Sequence, residues 1–157
     1  TALSVAQGGT GTSNILTSGS VIIAGNSGVH TQDTSNLYWD TTNKFLGIGT
    51  ITPSSTLHVA GSISVGIRTV NTNTTLGNSD HVILVDASSA NITITLPNPA
   101  NAKGRIYIIK AIALGLTKTV TCTPAAGLIE GASFLVLSVL NTTKQIISDG
   151  SNWYVIN

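Results

Sequence analysis

Methionine is absent from this 157-residue chain, cysteine occurs once, and charged residues make up only 8% of it against 41% hydrophobic. Each scarcity excludes something. The lone Cys122 leaves no internal disulfide framework, so a small domain here must be stabilised by packing or by association. Association is the expectation. Charged residues make up about 25% of a typical globular chain; with so few, the polar surface has to be built from Thr, Ser, Asn and Gly, a neutral hydroxyl and amide surface suited to an extracellular particle. The formal net charge of +1 and pI near 7.9 leave no basic field to hold a phosphate backbone, which argues against nucleic acid as a partner. The longest apolar runs, such as Phe134–Leu137, are strand-sized and far short of the roughly twenty residues a spanning helix needs, so no membrane insertion is expected. A chain that begins at Thr1, without Met and without a charged-then-apolar leader, is expected to be a processed product or an excised fragment.

What the chain does contain divides it in two. Residues 1–36 are dominated by Gly, Ser, Thr and Asn, with apolar islands at Leu3/Val5, Ile15/Leu16 and Val21–Ala24. Islands this short cannot close a core alone, and short strands between glycine turns need neighbours from other copies of the chain to bury one face. From Leu57 the pattern is regular: Leu57, Val59, Gly61, Ile63, Val65 and Ile67 share one parity, opposite His58, Ala60, Ser62, Ser64, Gly66 and Arg68. Period-two alternation predicts a half-buried strand. Because it carries a single apolar stripe, Leu57, Val59, Ile63, Val65 and Ile67 are the expected seam between chains about a symmetry axis.

Beyond Arg68 the sequence reads as closely spaced strands: His81–Val85, Asn91–Leu96, Arg105–Lys110, Lys118–Cys122, Ser133–Leu140, Lys144–Ser148 and Trp153–Ile156. Leu76–Asp80, Pro97–Ala100, Gly127, Gly131 and Asp149–Asn152 supply turn chemistry between them. Such spacing predicts a β-sandwich or jelly roll, and helix signals are nearly absent. Ile92, Ile94 and Leu96 alternate with Thr93 and Thr95, giving one apolar and one hydroxyl face. Ile106, Ile108 and Ile109 break alternation, which predicts either a central strand covered on both sides or a bulge.

Little here suits catalysis. The glycines at 8, 9 and 11 and at 47 and 49 lack the third glycine, the following helix and the Gly-Lys-Ser/Thr of nucleotide loops, and they read as turn residues. The carboxylates Asp33, Asp40, Asp80, Asp86, Glu130 and Asp149 sit mostly beside turn residues, where solvated positions are expected; a glycosidase needs two of them facing one sugar. His30, His58 and His81 show no ligand spacing, and no metal or other cofactor is expected. Cys122 shares parity with Val120 and reads as a small core residue. No Gly-x-Ser-x-Gly nucleophile elbow occurs, so the chain reads as a non-enzyme. Asn73, Asn91 and Asn141 match the glycosylation acceptor pattern, as a Thr/Asn-rich chain does by chance. Tyr38, Trp39, Tyr107, Trp153 and Tyr154 read as core or interface packing, and ligand contacts are assigned instead to turns that include Asn98, Asn101, Leu114 and Leu116.

One resemblance is legible. Leu3–Ser13, with its Gly-Gly-Thr-Gly, resembles a motif that recurs along the shafts of phage tail fibres; Leu37–Thr50 followed by Pro53–Gly61 is similar to a connector found in fibres and virion-surface proteins; Gly104–Lys110 and Ser148–Val155 resemble the β-rich heads that follow such connectors. The resemblance implies a homotrimer on the virion surface, with shaft strands wrapped about a three-fold axis and a distal domain that contacts the host surface. Its implied partners are copies of itself, other virion tail proteins, and a host-surface glycan or protein. Many such fibres continue into a self-cleaving chaperone; the sequence to Asn157 includes none, so the expectation is either that it was removed or that the fibre trimerises unaided.

The expectation is therefore an all-β fibre protein: a fibrous shaft and connector over residues 1–66, then a sandwich or jelly-roll-like head over 67–157, intertwined as a homotrimer for host attachment. The competing class is a cell-made extracellular filament or adhesin subunit, with Leu3–Ala6 adding as a strand to a neighbour's sheet. A polysaccharide-degrading spike is a third.

Overall fold

The computed structural model describes residues 2–157, which divide into two compact units, one ending at Ser64 and one running from Val65 to Asn157. Both are all-β. The helical segments among the described residues are three-residue 3-10 turns at Val5–Gln7, Asn26–Gly28 and Pro99–Asn101.

The first unit contains five short strands. β1 (Ile22–Ala24) and β2 (His30–Gln32) pair antiparallel, β3 (Leu37–Asp40) and β4 (Phe45–Ile48) form a hairpin, and β5 (Leu57–Val59) joins β4 in parallel. The hairpin turn is written in its sequence: the Asp40 carboxylate accepts the amides of Thr42 at 2.8 Å and Asn43 at 3.0 Å, and Lys44 takes φ +62° at the corner. Asp33 makes the same turn ahead of β3, accepting the Asn36 amide. Among the described residues of this unit, no aliphatic or aromatic side chain is buried apart from Pro53.

The second unit holds β6 (Ile67–Val70), β7 (Thr74–Thr75), β8 (Val82–Ala87), β9 (Ile92–Leu96), β10 (Ile106–Leu114), β11 (Val120–Pro124), β12 (Leu135–Leu137), β13 (Thr143–Ser148) and β14 (Trp153–Val155). They form a five-stranded sheet, β14-β13-β10-β8-β6, and a four-stranded sheet, β12-β11-β9-β7. Consecutive strands from β6 to β11 alternate between the sheets, and within each sheet they pair in parallel. The chain thus winds three coils, each giving one strand to each sheet, in the manner of a short β-solenoid. β12, β13 and β14 then pair antiparallel and extend the last coil's edge of both sheets.

The strands expected from sequence are present, but their connectivity differs from a jelly roll, which is antiparallel. Period-two alternation fixes which face a side chain occupies and carries no information on partner direction. The interior matches the alternation: Ile83, Val85, Tyr107 and Ile109 of one sheet meet Ile94, Leu96, Val120 and Cys122 of the other in a single core. Trp153 is fully buried, its ring 5.6 Å from that of Tyr107. β10 is both central and bulged, with a register shift between Ala111 and Ala113 against β8.

Two further expectations are corrected. The stripe from Leu57 to Ile67 is not one strand: it is extended only in β5 and again from the start of β6, and residues 60–66 are irregular. Gly61, Ser62, Ser64 and Gly66 give that stretch little to pack, and β5 and β6 take different partners, β4 and β8. In the single chain the Leu3–Ala6 segment leads into a 3-10 turn that begins at Val5. Leu114 is not a turn residue; it ends β10 and packs against the core.

The two sheets differ on their outer faces. Outside the four-stranded sheet, Thr93 pairs with Thr121, and Thr95 with both Thr123 and Thr75, forming a ladder of hydroxyls. Outside the five-stranded sheet, Ile67, Val82 and Ile108 stand side by side on three strands, next to a second row of Ile106, Ile147 and Tyr154. Parallel central strands that are apolar on both parities are normally covered on both sides. Here the inner side is buried, whereas these six outer residues stay partly or largely exposed.

Candidate functional site

Stacking of the coils brings together three loops distant in sequence: the Val65–Gly66 segment that leads into β6, residues 78–81 leading into β8, and residues 101–105 leading into β10. They line an open cleft of about 560 Å³, within the size range of small-molecule sites. Its charged and titratable side chains are Asp80, His81, Lys103 and Arg105, a concentration that stands out in a chain with seven cations and six carboxylates.

Both walls are tied to the core. Asp80, only 8% exposed at its side chain, forms an ion pair with Arg68 at 2.7 Å and accepts the Gly77 amide at 2.7 Å. The Gly77 carbonyl accepts the Tyr107 hydroxyl at 3.0 Å, and burial raises the pKa of that phenol above its ordinary value, so it remains a donor. Arg105 Nη1 donates to the Asn78 carbonyl at 2.8 Å, fixing the guanidinium and the loop together. On the other wall, the Ser148 hydroxyl donates to the Pro99 carbonyl at 3.0 Å, and the Gly104 amide to the Ser148 carbonyl at 2.8 Å. The Lys103 stem lies close to Gly150, which takes φ +99°.

The charges do not cancel. Asp80 is matched by Arg68, the one ion pair among the described residues, which leaves Lys103 and Arg105 without a carboxylate partner. Asn78, Ser79 and Asn101 add uncharged polar groups. The arrangement offers cationic donors and neutral hydrogen-bonding groups on fixed walls.

The residues singled out from sequence scatter. Val65 and Asn101 both line the cleft. Asn98 is a cap, its side chain accepting the Ala100 amide at 3.0 Å. Leu116 is 95% exposed in the β10–β11 turn, away from the cleft lining. Of the proposed seam, Leu57, Val59 and Ile63 belong to the first unit, and Val65 and Ile67 to the second. Ile63 and Ile67 are 69% and 65% exposed. The sequence reading missed Lys103 and Arg105, although two cations within three residues of a charge-poor chain are a visible signal.

A second hollow in the first unit, lined by Gly25, Asn26, Val29 and Thr31, has no charged side chain. No group of three or more His, Cys, Asp or Glu residues among those described is placed to hold a metal ion. Comparison with protein families, with curated proteins and with solved structures finds no match to this chain.

Proposed function

We propose that the chain is a structural fibre protein of a virion, assembled as a homotrimer that displays its second unit for attachment to a host surface. The observation that carries the reading is the uncovered apolar face of the five-stranded sheet, with Ile67, Val82 and Ile108 in one row and Ile106, Ile147 and Tyr154 in the next. An apolar patch rimmed by polar residues marks an interaction surface, and three copies about an axis close on such a face while leaving the threonine ladder in water. The first unit gives independent support. It buries almost no apolar side chain of its own among the described residues, as expected for a shaft or connector completed by neighbouring copies. The Gly-Gly-Thr-Gly segment and the connector-like Leu37–Thr50 and Pro53–Gly61 support the virion-fibre reading by resemblance.

No chemical step is required of such a protein. Three identical heads on one stalk turn weak contacts into lasting engagement, because the second and third contacts form at high effective concentration. The deciding measurement is the solution mass by light scattering together with adsorption of the labelled protein to host cells. A closed three-chain species that competes with virus for adsorption is expected. A monomer, or a species that grows without limit as a filament does, would overturn the trimer, and failure to compete would overturn attachment.

A further inference from the structure

We propose that the cleft between the 78–81 and 101–105 loops is a binding site for an acidic sugar: one carboxylate or phosphate on a hydroxylated ring. Three observations lead there. First, Lys103 and Arg105 line the cleft with no carboxylate beside them other than Asp80, which Arg68 already pairs at 2.7 Å. A guanidinium carries five donors in a planar fork; Nη1 of Arg105 donates to the Asn78 carbonyl at 2.8 Å and the group also interacts with the Tyr107 hydroxyl, contacts that hold the fork in place and leave donors over for a ligand. An oxyanion is the ligand group that matches a fixed fork beside an ammonium.

Second, the remaining polar lining is neutral. Asn78, Ser79 and Asn101 supply amide and hydroxyl groups that can both donate and accept, which is what ring hydroxyls require and a bare inorganic anion does not. Third, the walls are built in advance. The Tyr107 hydroxyl at 3.0 Å from the Gly77 carbonyl and the Ser148 hydroxyl at 3.0 Å from the Pro99 carbonyl anchor the two loops to neighbouring strands of the five-stranded sheet, β10 and β13. Pre-formed walls lower the ordering cost of binding. A volume of about 560 Å³ accommodates one or two sugar rings.

The inference rests on the attachment reading only for the source of the sugar, a host-surface glycan, and the chemistry of the cleft is testable without it. Isothermal titration of the full chain at low salt, in whatever oligomeric state it adopts, would compare a glucuronate-containing disaccharide, a hexose phosphate and a neutral disaccharide. Binding of at least one acidic sugar and none of the neutral one is expected, and the preferred acid tells a carboxylate source from a phosphate source. Lys103→Gln, which removes an exposed charge with no structural partner, should weaken that binding about tenfold, the effect of losing one charge-assisted hydrogen bond. Asn101→Ala should weaken it less. Equal binding of the neutral sugar, no binding of either acid, or acidic-sugar binding unchanged by Lys103→Gln would each overturn the site. Acidic-sugar binding that fails to block adsorption to cells would leave the site standing and separate it from attachment, which the competition measurement decides by itself.

Discussion

The Asn91 side-chain carbonyl accepts the Thr119 amide at 3.1 Å, reaching from one coil of the second unit to the next. One coil earlier, Asn73 does the same for the Thr93 amide at 2.8 Å. Each asparagine stands immediately before a strand of the four-stranded sheet, β7 or β9. They are corner residues that satisfy backbone donors where the chain changes sheets. Read as sequence, both sit in glycosylation-type triplets; read in the fold, each has a structural task. Asn91→Ala should therefore cost about 1 kcal/mol and lower the thermal midpoint by roughly 4–8 °C for a domain of this size. Asn73→Ala should behave alike. Calorimetry checks both, and an unchanged midpoint in the two variants would remove the corner role.

Cys122 offers a chemical probe of the core. Burial between the sheets pushes its thiol from 9.0 up to about 12, so almost no thiolate forms at neutral pH. Alkylation by iodoacetamide should proceed only as fast as the second unit opens, and urea should accelerate it in step with unfolding. The sign of the pH effect follows from the same shift. The folded pKa lies above the unfolded one, so this contribution to stability is complete below pH 9 and fades as pH rises from there towards 12. Rapid labelling of the folded chain at neutral pH would contradict the buried placement.

The acid limb is set by the Asp-x-x-Asn turns. Asp33 is held below its ordinary 3.8 chiefly by the Asn36 side-chain amide, Asp40 by the Asn43 backbone amide, and Asp149 by the Asn152 backbone amide. For each, the folded pKa lies below the unfolded value, so its stabilising effect is present above 3.8 and is lost as pH falls through the folded pKa. Thermal midpoints should hold down to about pH 5 and then drop in more acid solution. Asp40→Asn should flatten that drop while loosening the β3–β4 hairpin. A midpoint that stays level or rises as pH falls below 3.8 would refute the assignment.

Much of this structure is legible residue by residue. Ile92, Ile94 and Leu96 point into the core and Thr93 and Thr95 out of it, as their alternation requires. Direction is not legible, because parallel and antiparallel partners present the same alternation, and the coils emerge only when β8 is found beside both β6 and β10. The same limit hid the cleft. Val65, Asp80 and Arg105 adjoin because three coils stack in register, a relation between distant segments that no local pattern encodes. The stripe from Leu57 to Ile67 shows the converse failure. Its alternation is real, but a strand also needs a partner along its whole length, and between Ala60 and Gly66 none is provided within the described chain.

The outer face of the five-stranded sheet gives the sharpest test of assembly. Ile108 lies at its centre, between Val82 on β8 and Gln145 on β13, and its side chain points away from the core that Tyr107 and Ile109 help to fill. Ile108→Glu therefore leaves the interior of the single chain intact, while a trimer closed on this face would have to bury three carboxylates near one axis, which costs several kcal/mol per ion. The expected result is an unchanged β-type circular dichroism spectrum with the mass reduced from three chains to one. Ile63→Asp, in the exposed stretch before the second unit, should likewise dissociate or misfold the assembly, and an unchanged three-chain mass would sink the seam assigned to Leu57–Ile67. Thr121→Glu on the opposite face serves as the control, because it places the same charge where the trimer is expected to meet water, and its mass should not change. If Ile108→Glu and Thr121→Glu give the same mass, the apolar face is not where the copies meet.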